Sequence, residues 1–88
     1  MKIKENFVLR QVADTWVVLP LGEATVEFTG MLTLNEAGLM LWHLLEQGTT
    51  REAMAAALTE EYEVENEQAL ADVDEFVDKL RRVNCLEL

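Results

Sequence analysis

Hydrophobic and polar positions follow a two-residue period in the first third of the chain and a helical period after it. Phe7 to Val12 reads as a first strand, and Ala13-Asp14-Thr15 offers a tight turn. Trp16-Val17-Val18-Leu19 reads as a second strand, closed by Pro20, which lacks the N–H that a ladder needs. A turn at Gly22-Glu23-Ala24 leads into a third strand over residues 26–34. There Val26, Phe28, Leu32 and Leu34 share one face with Gly30 between them, while Glu27, Thr29, Met31 and Thr33 share the other. That alternation belongs to a strand with one face on a core.

From Thr33 the period becomes helical. Thr33-Leu34-Asn35-Glu36 fits a capping box, with Thr33 as the cap and Glu36 reaching back. Leu34, Ala37, Leu41, Leu44 and Leu45 form the apolar stripe of a first helix, and Gly48 stops it. Thr49-Thr50-Arg51-Glu52 offers a second capping box, opening a short helix with Met54, Ala57, Leu58 and, at its end, Tyr62 inward. After the polar connector Glu63-Val64-Glu65, Asn66 can cap a third helix. Its stripe is Ala69, Val73, Phe76, Val77, Leu80 and Val83, and Asn84 can end it in a left-handed conformation. Cys85-Leu86-Glu87-Leu88 is either a short terminal strand or a docked tail. Strands followed by helices indicate an α+β domain. Three strands in an antiparallel sheet followed by three helices make it winged helix-turn-helix-like.

The 88 residues, half of them hydrophobic, make a single domain over 1–88. A domain of this size buries about 60–65% of its unfolded surface. That leaves little room for a deep active-site cavity beside the core, which favours a binder over an enzyme. The net charge is −10, and ten acidic residues with no Lys or Arg lie between Glu52 and Asp78. Nucleic-acid binding draws most of its affinity from cations set against phosphate. The basic clusters here are only Lys2/Lys4 and Lys79/Arg81/Arg82, so nucleic acid and an anionic membrane surface are both disfavoured. Cys85 is the only cysteine and can form no intramolecular disulfide. Phe7-Val8-Leu9 is too short for the apolar region of a signal peptide, and no run approaches the ~20 apolar residues of a membrane span. A cytoplasmic, soluble protein is expected.

Candidate chemistry is sparse. His43 is the only histidine, and Glu46 and Gln47 are the neighbours a helix would bring to it; a surface histidine is the simpler reading. Cys85 follows Arg81 and Arg82, which would acidify an exposed thiol, but no histidine base lies near it in sequence, so a small buried residue is expected. The acidic run Glu60-Glu61-Tyr62-Glu63-Val64-Glu65-Asn66-Glu67 lacks the central glycine and spaced oxygens of a calcium loop. It reads as a solvated surface that favours the start of the third helix through its dipole. No phosphate-cradling glycine loop or G-x-S-x-G elbow occurs. No catalytic residue, metal site or cofactor is assigned. What remains is a surface: residues 26–34 carry one charge, Glu27, and no lysine or proline, the usual guards of an edge strand. As an edge, this strand could accept an extended peptide; as a central or covered strand, it could not.

The run Leu34-Asn35-Glu36-Ala37-Gly38-Leu39-Met40-Leu41-Trp42-His43-Leu44-Leu45-Glu46-Gln47-Gly48 resembles the PqqD family. Members typically show Leu-Asn, a small residue three on from the Leu, Gly or Ala next, then Trp-x-Leu-Leu and a closing Gly. The likeness continues through Thr50, Leu58, Tyr62-Glu63-Val64 and the Asp72-Val73, Phe76, Leu80 spacing, with Arg10 also fitting. It spans nearly the whole chain. Asn84 stands where many relatives have Gly, Met54 replaces a more usual Ile or Leu, and the chain ends at Leu88 with nothing after the domain.

The resemblance implies a RiPP recognition element: a domain that binds the leader of a ribosomally made precursor peptide as an added strand, between the third strand and the third helix. Free-standing members work beside a maturase, often a radical SAM enzyme that holds the iron–sulfur clusters. Trp42, Leu41, Leu44, Leu45 and Gly48 are better explained as core and cap than as binding residues. The family geometry puts the peptide-binding positions at Glu27, Phe28, Thr29, Gly30, Met31 and Leu32 of the strand. On the third helix it points to Asp72, Glu75, Phe76, Lys79 and Leu80, with the helix rotation deciding which face the groove. A winged-helix DNA-binding regulator is the alternative, though Asp72, Asp74, Glu75 and Asp78 on the reading helix would then face phosphates; a structural subunit of an enzyme complex is a third. Monomer and homodimer both remain open.

Overall fold

The computed structural model describes residues 1–22 and 32–87. Its elements run β1 (Lys2–Ile3), β2 (Phe7–Val12), β3 (Thr15–Pro20), β4 (Leu32–Leu34), α1 (Glu36–Gln47), α2 (Arg51–Glu61), α3 (Asn66–Arg82) and β5 (Leu86–Glu87). The expected antiparallel sheet is β2-β3-β4, and the three helices follow it. Residues 23–31, which hold most of the expected third strand, lie outside the described residues; Leu32–Leu34 is its described end.

Side-chain alternation decides which sheet face meets the helices. Val18 sits opposite Leu32, and Leu9 opposite Val18, so these three form one inward row across the sheet. Trp16 and Leu34 form the next row, while Thr33 between Leu32 and Leu34 is exposed. The β2–β3 hairpin turns on two residues, Ala13 and Asp14, with Ala13 at a φ of 56°. A left-handed alanine costs about 1–2 kcal/mol.

β1 pairs antiparallel with β5, Lys2 opposite Glu87 and Ile3 opposite Leu86. The C-terminal alternative is thus resolved as a strand, and its partner is a segment in which the sequence pattern marks no strand. Two residues carry no period, and the pairing exists only because both chain ends meet. Lys4 Nζ donates to Asn84 Oδ1 at 2.8 Å and Lys4 N to the Cys85 carbonyl at 2.9 Å. Asn84 has a φ of 59°, the left-handed conformation that turns the chain out of α3 and into β5.

The helices pack over the inward face of the sheet. Trp42, Leu45, Met54, Val73 and Leu80 are fully buried with Val18 and Cys85. All three helix caps differ from the sequence reading. Asn35, not Thr33, caps α1: its Oδ1 accepts from Gly38 N at 2.8 Å. Thr33 is still paired in the sheet opposite Val17, so its backbone is committed to the ladder. At α2 the cap is Thr50, one residue after the head of the expected box at Thr49, and it accepts from Ala53 N at 3.1 Å. Asn66 is the first residue of α3 rather than its cap; Glu65 holds that position, with no side-chain cap bond. In α2, Ala55 is buried with Met54 and Leu58, while Ala57 is only half-buried. Gly48 ends α1 at a φ of 91°, as expected.

Candidate functional site: a groove between β4 and α3

β4 takes β3 as its neighbour on one side and is the last strand of the described sheet. Along its other side runs a groove of about 490 Å³. One wall is Leu32, Thr33 and Leu34, continuing into Asn35, Ala37 and Gly38 of the α1 start. The other is α3, through Asp72, Glu75, Phe76 and Lys79, and Leu41 and Leu58 also line it. A hollow of about 270 Å³ continues beyond, between Leu32, Thr33 and the end of α3 at Lys79, Arg82 and Val83. Volumes of this order suit ligand recognition by an apolar floor with a few polar groups.

Helical spacing explains the α3 wall. Ala69, Val73, Val77 and Leu80 are buried, so the core takes that face. Phe76 lies at the edge of the buried stripe and is half-buried, with its ring toward the groove. Asp72 and Lys79 stand one turn to either side of it, Glu75 directly precedes it, and all three are exposed. Leu80, named with them from sequence, is 0% exposed and belongs to the core; it does not line the groove. Of the strand positions, Leu32 lines the groove, while Glu27, Phe28, Thr29, Gly30 and Met31 lie outside the described residues.

Sequence reasoning missed Asn35, Ala37, Gly38, Leu41 and Leu58 as groove residues. Four of these belong to the run Leu34–Gly48 that carries the family resemblance, where Leu41 reads as core and the other three have no binding role. Gly38 has a definite steric reason. A Cβ there would lie 3.3 Å from Phe76 Cε1 and 3.2 Å from Asn35 Oδ1. Glycine inside a helix costs about 1 kcal/mol relative to alanine, so this close approach of α1 to α3 opposes the local propensity.

The charged groups sort into committed and uncommitted sets. Arg51 Nε and Nη2 donate to Asp74 Oδ1 and Oδ2 at 2.6 and 2.9 Å, tying the start of α2 to α3. These bonds hold the Asp74 carboxyl below its ordinary range and raise Arg51. Arg82 is held by Asp78 at 2.7 Å, and Asp72 accepts from Gln68 at 2.9 Å. Among the described residues Glu75 and Lys79 have no such partner.

The Cys85 thiol is not set up as a nucleophile. Burial pushes the Cys85 thiol up to about 11, and its Sγ points at the Leu80 carbonyl at 3.6 Å. His43 is exposed and meets Glu46 Oε1 at 2.8 Å, as its spacing indicated. Among the described residues no cluster of metal-ligating side chains occurs, and no helix is long and apolar enough to cross a membrane.

A small sheet with a strand edge open along a helix-walled groove defines a class of peptide-recognition fold. The family model for coenzyme PQQ synthesis protein D (PqqD) matches residues 15–86, and the chain belongs to that family. Its structure is similar to that of TbiB1 solved in complex with the TbiA(beta) leader peptide, at a TM-score of 0.77 and 29% identity, over 99% of this chain and 95% of that one. No curated protein matches the chain.

Proposed function

We propose that this chain is a RiPP recognition element: it binds the leader of a ribosomally made precursor peptide and presents it to a separate modifying enzyme. The observation that carries the proposal is the groove of about 490 Å³ between the edge of β4 and α3. Similarity to a protein solved with a leader peptide supports it. The leader adds as a strand to β4, so backbone hydrogen bonds provide affinity that tolerates sequence, and alternate side chains descend to the floor of Leu34, Gly38, Leu41, Leu58 and Phe76. Holding the leader raises the effective concentration of the attached core peptide at the enzyme.

The chemistry belongs to the partner, a radical SAM or other maturase, which would hold any iron–sulfur cluster. This chain contributes recognition without catalysis, and it acts in the cytoplasm, where its one buried thiol stays reduced. The net charge of −10 favours a leader or maturase with basic residues, so affinity falls as salt rises.

The test is an NMR titration of the labelled chain with the N-terminal half of a candidate precursor chosen from the short reading frames encoded beside its gene. Shifts concentrated at Leu32–Leu34, Gly38 and residues 72–79, saturating at micromolar peptide, are expected. Shifts elsewhere, or none with the maturase also present, would refute the reading.

A further inference from the structure

Resting on that reading of the groove, we infer that its occupant carries an ordered charge pattern. In N- to C-terminal order it presents a basic, an apolar and an acidic side chain at alternate positions of one extended segment. The α3 wall has this polarity in complement: Asp72 and Glu75, then Phe76, then Lys79 and Arg82. Glu75 and Lys79 are four apart with the Glu first, the arrangement in which a helix usually pairs them. They form no ion pair, and neither has another partner among the described residues, so both charges are available to a ligand.

The facing wall sets the direction. Gly38 lies against Phe76, with Leu34 beside it, while Leu32 and Thr33 border Lys79 and Arg82. β4 therefore runs opposite to α3. Every pairing in the described sheets is antiparallel, and an antiparallel ladder is the more stable per residue. A segment added in that sense runs from the Asp72 end to the Arg82 end.

The spacing also agrees. At about 1.5 Å per residue, Glu75 and Lys79 are about 6 Å apart along the helix, and Asp72 and Arg82 about 15 Å. Same-face residues of a strand recur about every 6.7 Å, so positions i, i+2 and i+4 span about 13 Å. Three successive same-face side chains thus reach the acidic, apolar and basic subsites in turn. The overall negative charge attracts any cationic peptide, so the acid at i+4 against Lys79, the cation with no partner of its own, is what fixes register.

The experiment selects displayed random peptides of twelve residues on the intact chain and on a double variant, Glu75→Lys with Lys79→Glu, which keeps the net charge. The wild type should enrich basic-x-apolar-x-acidic sequences, and the double variant the reversed order. Synthetic peptides of matched and reversed order should differ in affinity on the order of fivefold for two exposed pairs. Phe76→Ala serves as the groove control. Peptides whose binding needs Phe76 but which show no charge order, or the same order in the double variant, overturn this inference and leave the groove reading intact. Peptides indifferent to Phe76→Ala, or no enrichment on either protein, overturn both.

Discussion

Phe76 and Leu80 lie one helical turn apart on α3, and truncating each to alanine should separate stability from recognition. Leu80 is 0% exposed and belongs to the same buried cluster as Trp42, Leu45, Val73 and Cys85. Leu→Ala at such a site costs about 2.7–5 kcal/mol, because a cavity remains where the side chain was. An 88-residue domain has about 4–13 kcal/mol in total, so Leu80→Ala removes about a fifth of it at the least. Phe76 is half-buried and borders open groove. Its truncation widens the groove instead of enclosing a void, and half the transfer value of a phenylalanine, roughly 0.8–1.5 kcal/mol, is lost. For recognition the order reverses. A central aromatic anchor contributes about 2 kcal/mol or more to binding, which is about thirtyfold in Kd. Urea unfolding of both variants gives the stability order, and peptide titration of each, under conditions where it is folded, gives the affinity order. Phe76→Ala as destabilising as Leu80→Ala, or an unchanged Kd for a groove-bound peptide, would refute this division of roles.

Four further outcomes rest on particular contacts. Asn35→Ala should lower stability by about 1 kcal/mol through loss of the cap on Gly38 N, while Thr33→Ala changes it by less than about 0.5 kcal/mol; urea midpoints compare the two. Asp74 is held below its ordinary range by Arg51, so its contribution is full above the unfolded pKa near 4 and is lost as pH falls through the lower folded value. Wild type should therefore lose more stability than Asp74→Asn between about pH 4 and 2, and equal losses in an acid urea series would contradict the pairing. Cys85 should react with a thiol reagent at pH 8 only as fast as the domain opens, with urea accelerating it. Because its folded pKa is raised from 9.0 to about 11, stability should decline with rising pH across that window, an effect absent from Cys85→Ala.

The order of three strands and three helices was legible in sequence because each main element carries its own period: two in β2 and β3, and 3.6 in the helices. The left-handed turn at Asn84, the stop at Gly48 and the burial of Trp42 and Cys85 were legible for the same local reason, residue type at a marked position. The PqqD resemblance in Leu34–Gly48 identified the family, and the groove position of Asp72, Glu75, Phe76 and Lys79 followed its geometry. The tertiary structure alone decided the rest. The β1–β5 pairing joins residues 2 and 87, and two-residue strands have no period to detect. Asn35 displaced Thr33 as the cap because the sheet held Thr33's backbone beside Val17. Leu80 and Phe76 belong to one apolar stripe, and only the rotation of α3 against the sheet sends the first into the core and the second to the groove wall. Periodicity names the face of a helix that is apolar; what packs against each part of that face is a matter of distant segments, and there the pattern along the chain is silent.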